Sequence, residues 1–270
     1  MKPFWSCWPA LRQQIDSAES VLLFLDYDGT LTPLVDHPSK ARLSEGVRQL
    51  VRKLACQPGV GVALVSGRTL ADLSRAVGVR GLCYVGNHGL EMKSPKMHYI
   101  NPAARRIRPI LKRVARDLRT VLEPIQGVWV EDKGLTLTVH YRSAAPDLEL
   151  LVKNGFHEVV NPYVLKRLVR ISVGKQVFEV RPPVRWTKGE LIQWLLACWT
   201  AATKAARILP IYVGDDETDE DAFESLEKQG VTVVVDPAMP LTKAQYRIGS
   251  PTEVEQFLQQ LLALRRAKAA

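Results

Sequence analysis

Val21-Leu22-Leu23-Phe24-Leu25-Asp26-Tyr27-Asp28-Gly29-Thr30-Leu31 is the stretch that decides the fold. Five apolar residues in a row, with no polar alternation, describe a strand covered on both faces, as in a parallel sheet flanked by helices. Two carboxylates follow at once, at the carboxyl end where open α/β sheets place their ligands. In a continuing strand Asp26 and Asp28 would face the same way; in a loop the first could attack while the second sits beside the leaving group. A carboxylate nucleophile takes up a phosphoryl group as an aspartyl phosphate, which divides hydrolysis into two easier steps. The competing reading is an Asp-x-Asp-Gly turn in which Asp28 only stabilises the bend.

Working outward, Val60–Val65, Leu82–Val85, Ile211–Val213 and Val231–Val235 read as further buried strands. The helices between them have legible starts. Ser44 can cap one whose Val47, Leu50, Val51 and Leu54 form a single apolar stripe, and Thr69, with Asp72 three residues on, opens another through Leu70, Leu73 and Val77. Strand alternating with helix predicts an α/β fold with a doubly wound parallel sheet.

The middle of the chain changes character. Gly127–Arg142 and Leu168–Arg181 each read as an antiparallel hairpin that follows a helical stretch. In the first, Leu135, Leu137, Val139 and Tyr141 alternate with Thr136, Thr138, His140 and Arg142, so one face packs and the other meets something wet. In the second, Phe178 and Val180 share one face, Glu179 and Arg181 the other. The expectation is a smaller α/β cap domain at residues 100–184, inserted into a catalytic core made of residues 1–99 and 185–270.

Composition agrees with a folded chain: of 270 residues, 46% are hydrophobic and 24% charged, enough for a substantial core and too little charge for disorder. No apolar run approaches the roughly 20 residues of a membrane span, and Met1–Ser20 lacks a secretory pattern. A cytoplasmic protein with no membrane partner is expected. The four cysteines (Cys7, Cys56, Cys83, Cys198) are widely spaced and read as buried small hydrophobes, not as a zinc site or disulfide framework. The net charge of +9 suits an anionic partner, whether nucleic acid, an acidic membrane surface or a phosphorylated metabolite. Much of it lies in Arg105, Arg106, Arg108, Lys112, Arg113, Arg116 and Arg119, which interleave with Ile107, Leu111, Val114 and Leu118 at the spacing of a solvated helix face.

Three more segments carry chemistry. Ser66-Gly67-Arg68 ends the second strand and precedes a capped helix, so a hydroxyl and backbone N–H groups converge where a phosphate would be welcome. Thr187-Lys188-Gly189-Glu190 has capping-box spacing, which puts Lys188 at the first position of a helix; an ammonium there is unfavourable unless an anion sits nearby. After the Ile211–Val213 strand comes Gly214-Asp215-Asp216-Glu217-Thr218-Asp219-Glu220-Asp221, with six acidic residues among the seven from Asp215 to Asp221. Thr218 with Asp221 makes a capping box, whereas Asp215 and Asp216 precede it at a strand end, where they could join Asp26 around a hard divalent ion such as Mg²⁺.

In this order the four elements resemble the haloacid dehalogenase superfamily of phosphotransferases. The resemblance implies a Rossmannoid core with Asp26 as nucleophile, Asp28 as general acid and base, and Thr30, Ser66, Gly67, Arg68 and Lys188 around the phosphate. It also implies Mg²⁺ held by Asp26, Asp215 and Asp216 with the main-chain carbonyl of Asp28. Over nearly the whole chain the sequence is similar to trehalose-6-phosphate phosphatases, through Asp26–Pro33, Gly86-Asn87-His88-Gly89, Glu131-Asp-Lys-Gly134 with His140-Tyr-Arg142, Phe178–Pro182 and Gly214–Phe223. Asn87 departs from the small residue more often expected there.

On that resemblance the hairpin residues bind sugar. Glu131, Lys133, Arg142, Lys175 and Glu179 supply acceptors and bidentate donors for hydroxyl groups, the competing reading of each being a cross-strand ion pair. His88 reads evenly as a loop histidine or a sugar contact. The expected activity is Mg²⁺-dependent hydrolysis of trehalose 6-phosphate through an aspartyl phosphate. The rival substrate is another glycosyl phosphate, such as glucosylglycerol phosphate or mannosyl-3-phosphoglycerate. A nucleic-acid-binding role for the basic helix finds no aromatic platform or motif. The expected partner is thus a small sugar phosphate, with room for association with a trehalose-6-phosphate synthase.

Overall fold

The computed structural model describes residues 1–35, 40–174, 176–184, 186–235 and 241–269. Lys175 lies outside the described residues. The chain divides into two compact units, Met1–His98 with Trp186–Ala270, and Tyr99–Arg185.

The first unit opens with β1 (Lys2–Pro3) and α1 (Trp8–Ser17), then alternates β2 (Ser20–Asp26), α2 (Glu45–Ala55), β3 (Val60–Val65), α3 (Leu70–Val77) and β4 (Cys83–Gly86). A hairpin not foreseen in the sequence, β5 (Glu91–Ser94) and β6 (Met97–Ile100), leads into the second unit. That unit holds α4 (Pro102–Arg106), α5 (Arg108–Leu122), β7 (Trp129–Asp132), β8 (Leu137–His140), α6 (Glu149–Leu165), β9 (Arg170–Gly174) and β10 (Val177–Arg181). The chain returns through α7 (Lys188–Thr203), β11 (Ile208–Gly214), α8 (Glu220–Leu226), β12 (Val231–Val235), β13 (Tyr246–Ile248) and α9 (Pro251–Ala269).

The nine strands of the large sheet run in the order β1-β13-β12-β11-β2-β3-β4-β5-β6. From β1 to β4 the pairings are parallel, and β5 adds antiparallel to β4. All seven residues of β2 are buried. Val21, Leu23 and Leu25 pack with Val47, Val51 and Leu54 of α2 and Phe257, Leu258 and Leu261 of α9. On the opposite face, Phe24 stacks on Tyr212, which meets Phe223 of α8 edge-on. Each buried leucine or phenylalanine contributes about 1.5 to 3 kcal/mol, so the central strand is the most heavily anchored part of the unit. Ser44 and Thr69 cap α2 and α3 by accepting from Val47 N and Asp72 N.

The second unit is a four-stranded antiparallel sheet, β7-β8-β10-β9, so the two hairpins join through β8 and β10. Val130, Leu137, Val139, Phe178 and Val180 face α5 and α6, where they meet Leu111, Val114, Leu118 and Phe156. The basic face of α5 points away, with Lys112, Arg113, Arg116 and Arg119 exposed. Thr136 and Thr138, expected on the wet face, are buried, and Arg142 lies past the end of β8 and is exposed. The cysteines are all free, but none is fully buried: Cys56 is exposed in the cap position after α2. Among the described residues no helix is long and apolar enough to cross a membrane.

Candidate active site

Sheet register assembles the site in the first unit. Asp26 pairs with Val65 across β2 and β3, and Leu25 with Val213 across β2 and β11. Ser66 and Asp215 therefore leave the sheet on either side of Asp26, at one carboxyl edge. Lys188, at the start of α7, is 3% exposed, and its ammonium donates to Asp26 Oδ1 at 3.0 Å and to Asp219 Oδ1 at 2.7 Å. The capping box expected from the sequence holds it there: Thr187 accepts from Glu190 N while Glu190 accepts from Thr187 N. Burial alone would pull the Lys188 ammonium down, but Asp219 and Asp26 outweigh it and hold the group charged, well above the ordinary lysine range.

Asp219 was not singled out in the sequence, yet it is the most heavily engaged carboxylate here. It accepts from Lys188, from the Tyr212 hydroxyl at 2.5 Å, and from the backbone N–H groups of Asp215 and Asp216 at 3.0 and 3.1 Å. The signal was present as capping-box spacing, Asp216-x-x-Asp219, two residues earlier than the Thr218 cap expected. Asp216 is the cap: its Oδ1 accepts from Thr218 N and Oγ1 at 2.8 and 2.7 Å. Against burial, which pushes it up, Lys188 and these Thr218 bonds bring the Asp216 carboxyl below its usual range.

Asp26, Asp215 and Asp219 present carboxylate oxygens all within 4.8 Å of one another. Asp216 is not in that set, and Asp219 is used up by its four donors, which leaves Asp26 and Asp215 as candidate metal carboxylates. Burial and the Asp219 and Asp216 charges push Asp215 up to about 8. Burial likewise raises Asp26, against the pull of Lys188 and with the added push of Asp219 and Asp215. Thr30, fully buried, donates to Asp215 Oδ1 at 3.3 Å. Gly29, at φ 81°, makes the approach possible, since a Cβ there would come 2.0 Å from Asp215 Oδ2.

Asp28 points elsewhere. Arg68 holds it in a two-pronged pair, Nε to Oδ2 at 2.7 Å and Nη2 to Oδ1 at 2.6 Å, with the guanidinium 5.0 Å above the Tyr27 ring. Arg68, expected at the phosphate, thus faces the general-acid candidate. Ser66 is buried and its Oγ accepts from Arg68 N. Beyond Gly86 the chain enters a strained turn: Asn87 and His88 have φ 49° and 54°. Left-handed backbone at a bulky residue costs about 1 to 3 kcal/mol and persists only where its surroundings hold it. Here Asn87 N donates to Arg68 O at 2.7 Å and His88 N to Ser66 O at 3.1 Å. The Asn87 side chain, wholly buried, donates to Glu91 at 2.6 Å, which accounts for an asparagine where a small residue was expected.

In the second unit, one row across the sheet brings Glu131, Thr138, Glu179 and Ser172 side by side. Lys133 Nζ lies 3.8 Å from Glu131 and 3.9 Å from Glu179. His140 Nε2 is 3.0 Å from Glu131 Oε2, and its ring stacks on Trp129 at 3.8 Å. Arg181 Nε donates to Glu179 at 2.6 Å. Thr138 Oγ1 is buried with no hydrogen-bond partner.

Residues 24–250 match the family model described as trehalose-phosphatase. The chain belongs to the trehalose-phosphatase family. Among its relatives, the trehalose-phosphate phosphatase of Mycobacterium tuberculosis is 38% identical over 248 residues, covering 90% of this chain and 62% of the relative. That of Mycobacterium leprae is 36% identical over 255 residues, covering 91% and 58%. The chain therefore spans less than two thirds of the length of these trehalose-phosphatase relatives. The C-terminal domain of trehalose-6-phosphate phosphatase from C. albicans superposes with a TM-score of 0.80 at 29% identity, covering 95% of this chain and 97% of that one. Trehalose-6-phosphate phosphatase of Aspergillus fumigatus gives 0.66 at 30% identity, with 94% and 97% covered. The trehalose-phosphatase fold of the haloacid dehalogenase type, with its mainly parallel sheet, is thus the fold of this chain.

Proposed function

We propose that this protein hydrolyses trehalose 6-phosphate to trehalose and phosphate through a phosphoryl intermediate on Asp26, with Mg²⁺ as cofactor. The observation that carries the reading is the Asp26 carboxylate, buried at the end of β2 with one oxygen fixed by Lys188. Lys188 stops the carboxylate rotating and keeps a positive charge beside the incoming phosphate. Asp26 attacks phosphorus, the bond to the sugar oxygen breaks, and Asp28 gives that oxygen its proton. Asp28 then takes a proton from water, which attacks the aspartyl phosphate and frees phosphate and Asp26. For either transfer the Asp28–Arg68 pair has to open, so Arg68 acts as the resting partner of the acid.

Hard oxygen donors suit Mg²⁺, and Asp26 and Asp215, raised by burial and then by neighbouring carboxylates, present oxygens within 4.8 Å of one another. Asp26, Asp215 and the carbonyl of Asp28 would hold the ion, which offsets the repulsion between these carboxylates and the substrate phosphate when bound. Asp219 sets the position of Lys188 and of the Asp215 backbone. On the second unit, Glu131, Lys133 and Glu179 lie together and offer the mixed donors and acceptors that sugar hydroxyls need. That supports a role of residues 100–184 in choosing the substrate. Phosphate release from a panel of sugar phosphates with Mg²⁺ tests the proposal: trehalose 6-phosphate should have the highest kcat/KM. A clear preference for glucosylglycerol phosphate or mannosyl-3-phosphoglycerate would replace the substrate and leave the chemistry standing.

A further inference from the structure

One carboxylate near the site has no part in the chemistry above. Glu91, at the start of β5, uses a single oxygen, Oε1, to accept from Asn87 Nδ2 at 2.6 Å and from Leu70 N, the first residue of α3, at 2.8 Å. It thereby joins two loops that leave the sheet separately: Ser66–Thr69 after β3 and Asn87–Gly89 after β4. No cation pairs with Glu91 among the described residues; its charge is matched by two N–H groups, one at the positive end of a helix.

Besides Ser66 and Arg68, the joined loops carry a histidine beside the site. The His88 imidazole takes the space beside Gly67 that a side chain would need: a Cβ there would meet its Cε1 at 2.5 Å and Nε2 at 2.6 Å. Gly67 is followed directly by Arg68, whose guanidinium holds Asp28, the group proposed to protonate the leaving sugar oxygen, so the imidazole stands on that side of the site. His88 reaches this spot only because Asn87 and His88 both take left-handed backbone conformations, and Glu91 is the side chain that pins that turn. We propose that Glu91 is a positioning residue for substrate recognition: by tying the Asn87–His88 turn to the start of α3, it aims the His88 imidazole at a sugar hydroxyl on the leaving-group side of the phosphate. The inference rests on the proposed sugar-phosphate phosphatase activity and adds to it a residue that touches neither substrate nor metal.

The test compares kcat/KM for trehalose 6-phosphate and for 4-nitrophenyl phosphate, which has no sugar hydroxyl, in the full chain with Mg²⁺. Glu91→Ala should lower the ratio of the two values about tenfold or more, the worth of one lost polar contact to the sugar. Glu91→Gln keeps an acceptor oxygen at the same place and should hold the ratio within about threefold. Because Glu91 acts through His88, the Glu91→Ala/His88→Ala double variant should fall no further than His88→Ala alone. Should Glu91→Ala not fold, Asn87→Gly removes the Nδ2 donor while keeping the left-handed turn easy, and should shift the ratio in the same direction. Equal losses on both substrates, or single effects that multiply in the double variant, would mean Glu91 only supports the fold. A parent enzyme inactive on trehalose 6-phosphate but active on the aryl phosphate overturns the proposed substrate and this inference with it; an active parent whose ratio ignores Glu91 overturns the inference alone.

Discussion

Among the described residues, Lys188 and Lys133 each stand between a pair of carboxylates. Lys188 is 3% exposed and makes hydrogen bonds of 3.0 and 2.7 Å to Asp26 and Asp219. Lys133, in the second unit, lies 3.8 and 3.9 Å from Glu131 and Glu179, within ion-pair range and beyond hydrogen-bond length. The first arrangement is fully desolvated and holds its charges in one geometry, as a reaction centre requires. The second is looser, so a ligand hydroxyl can be exchanged for an ionic contact at little cost. On the proposed function, the reaction centre and the substrate-choosing cluster would thus use the same residue types at different depths and spacings.

The sharpest way to break the contrast is Lys188→Met. Leaving Asp26 and Asp219 buried without their cation should cost about 3 to 5 kcal/mol of stability, read by urea unfolding. Turnover on any phosphate monoester should fall by about a thousandfold. A variant that loses activity while keeping full stability would show that the ammonium contributes nothing to the fold and that the buried network is held some other way.

Glu131→Ala asks the same of the looser cluster. Stability should change by less than about 1 kcal/mol, because the pairs are part-exposed. The kcat/KM for trehalose 6-phosphate should drop about ten- to a hundredfold, the effect of losing a charge-assisted hydrogen bond of about 1.5 to 3 kcal/mol. Activity on an aryl phosphate should hold much better. A loss of the Lys188 kind, equal on all substrates, would erase the distinction between the two regions.

A smaller effect follows from Asp215, whose carboxyl is pushed up to about 8 by burial and by Asp219 and Asp216. In metal-free protein the folded state binds this proton more tightly than the unfolded chain does. The stability it contributes is complete below the ordinary value of 3.8 and is lost as pH rises through about 8. In the proposed site Mg²⁺ would replace the proton, so the gain in Tm on adding Mg²⁺ should be a few degrees larger at pH of about 8.5 than at about 6. An equal gain at both would contradict the placement of the ion beside Asp215.

Much of this was legible in the sequence where the cause is local. Ser44, Thr69 and Thr187 cap helices because a hydroxyl three residues before an N–H needs only its own turn. The Val21–Leu25 run announced a strand covered on both faces, and so which edge would carry Asp26. Asp219 was hidden because its partners, Lys188 and Tyr212, come together only through the packing of α7 and β11. Asp216 was ambiguous for the converse reason: an acidic residue after a strand suits a metal and a cap equally, and in the structure its Oδ1 caps the turn. The β5–β6 hairpin escaped because Glu91–Ser94 and Met97–Ile100 have no clean alternation. The β8–β10 junction escaped because no pattern within either hairpin says which of its edges will meet the other.

The central claim, that Asp26 is the nucleophile, is tested most directly by trapping its phosphoryl adduct. With Asp28→Asn, breakdown of the intermediate lacks its base, whereas an aryl phosphate with a good leaving group needs little help from the acid to form it. Rapid acid quench of this variant with Mg²⁺ and aryl phosphate, followed by peptide mass spectrometry, should find a phosphoryl group on Asp26. Single-turnover release of the phenol with no adduct at Asp26, or with the adduct on another residue, would contradict the account.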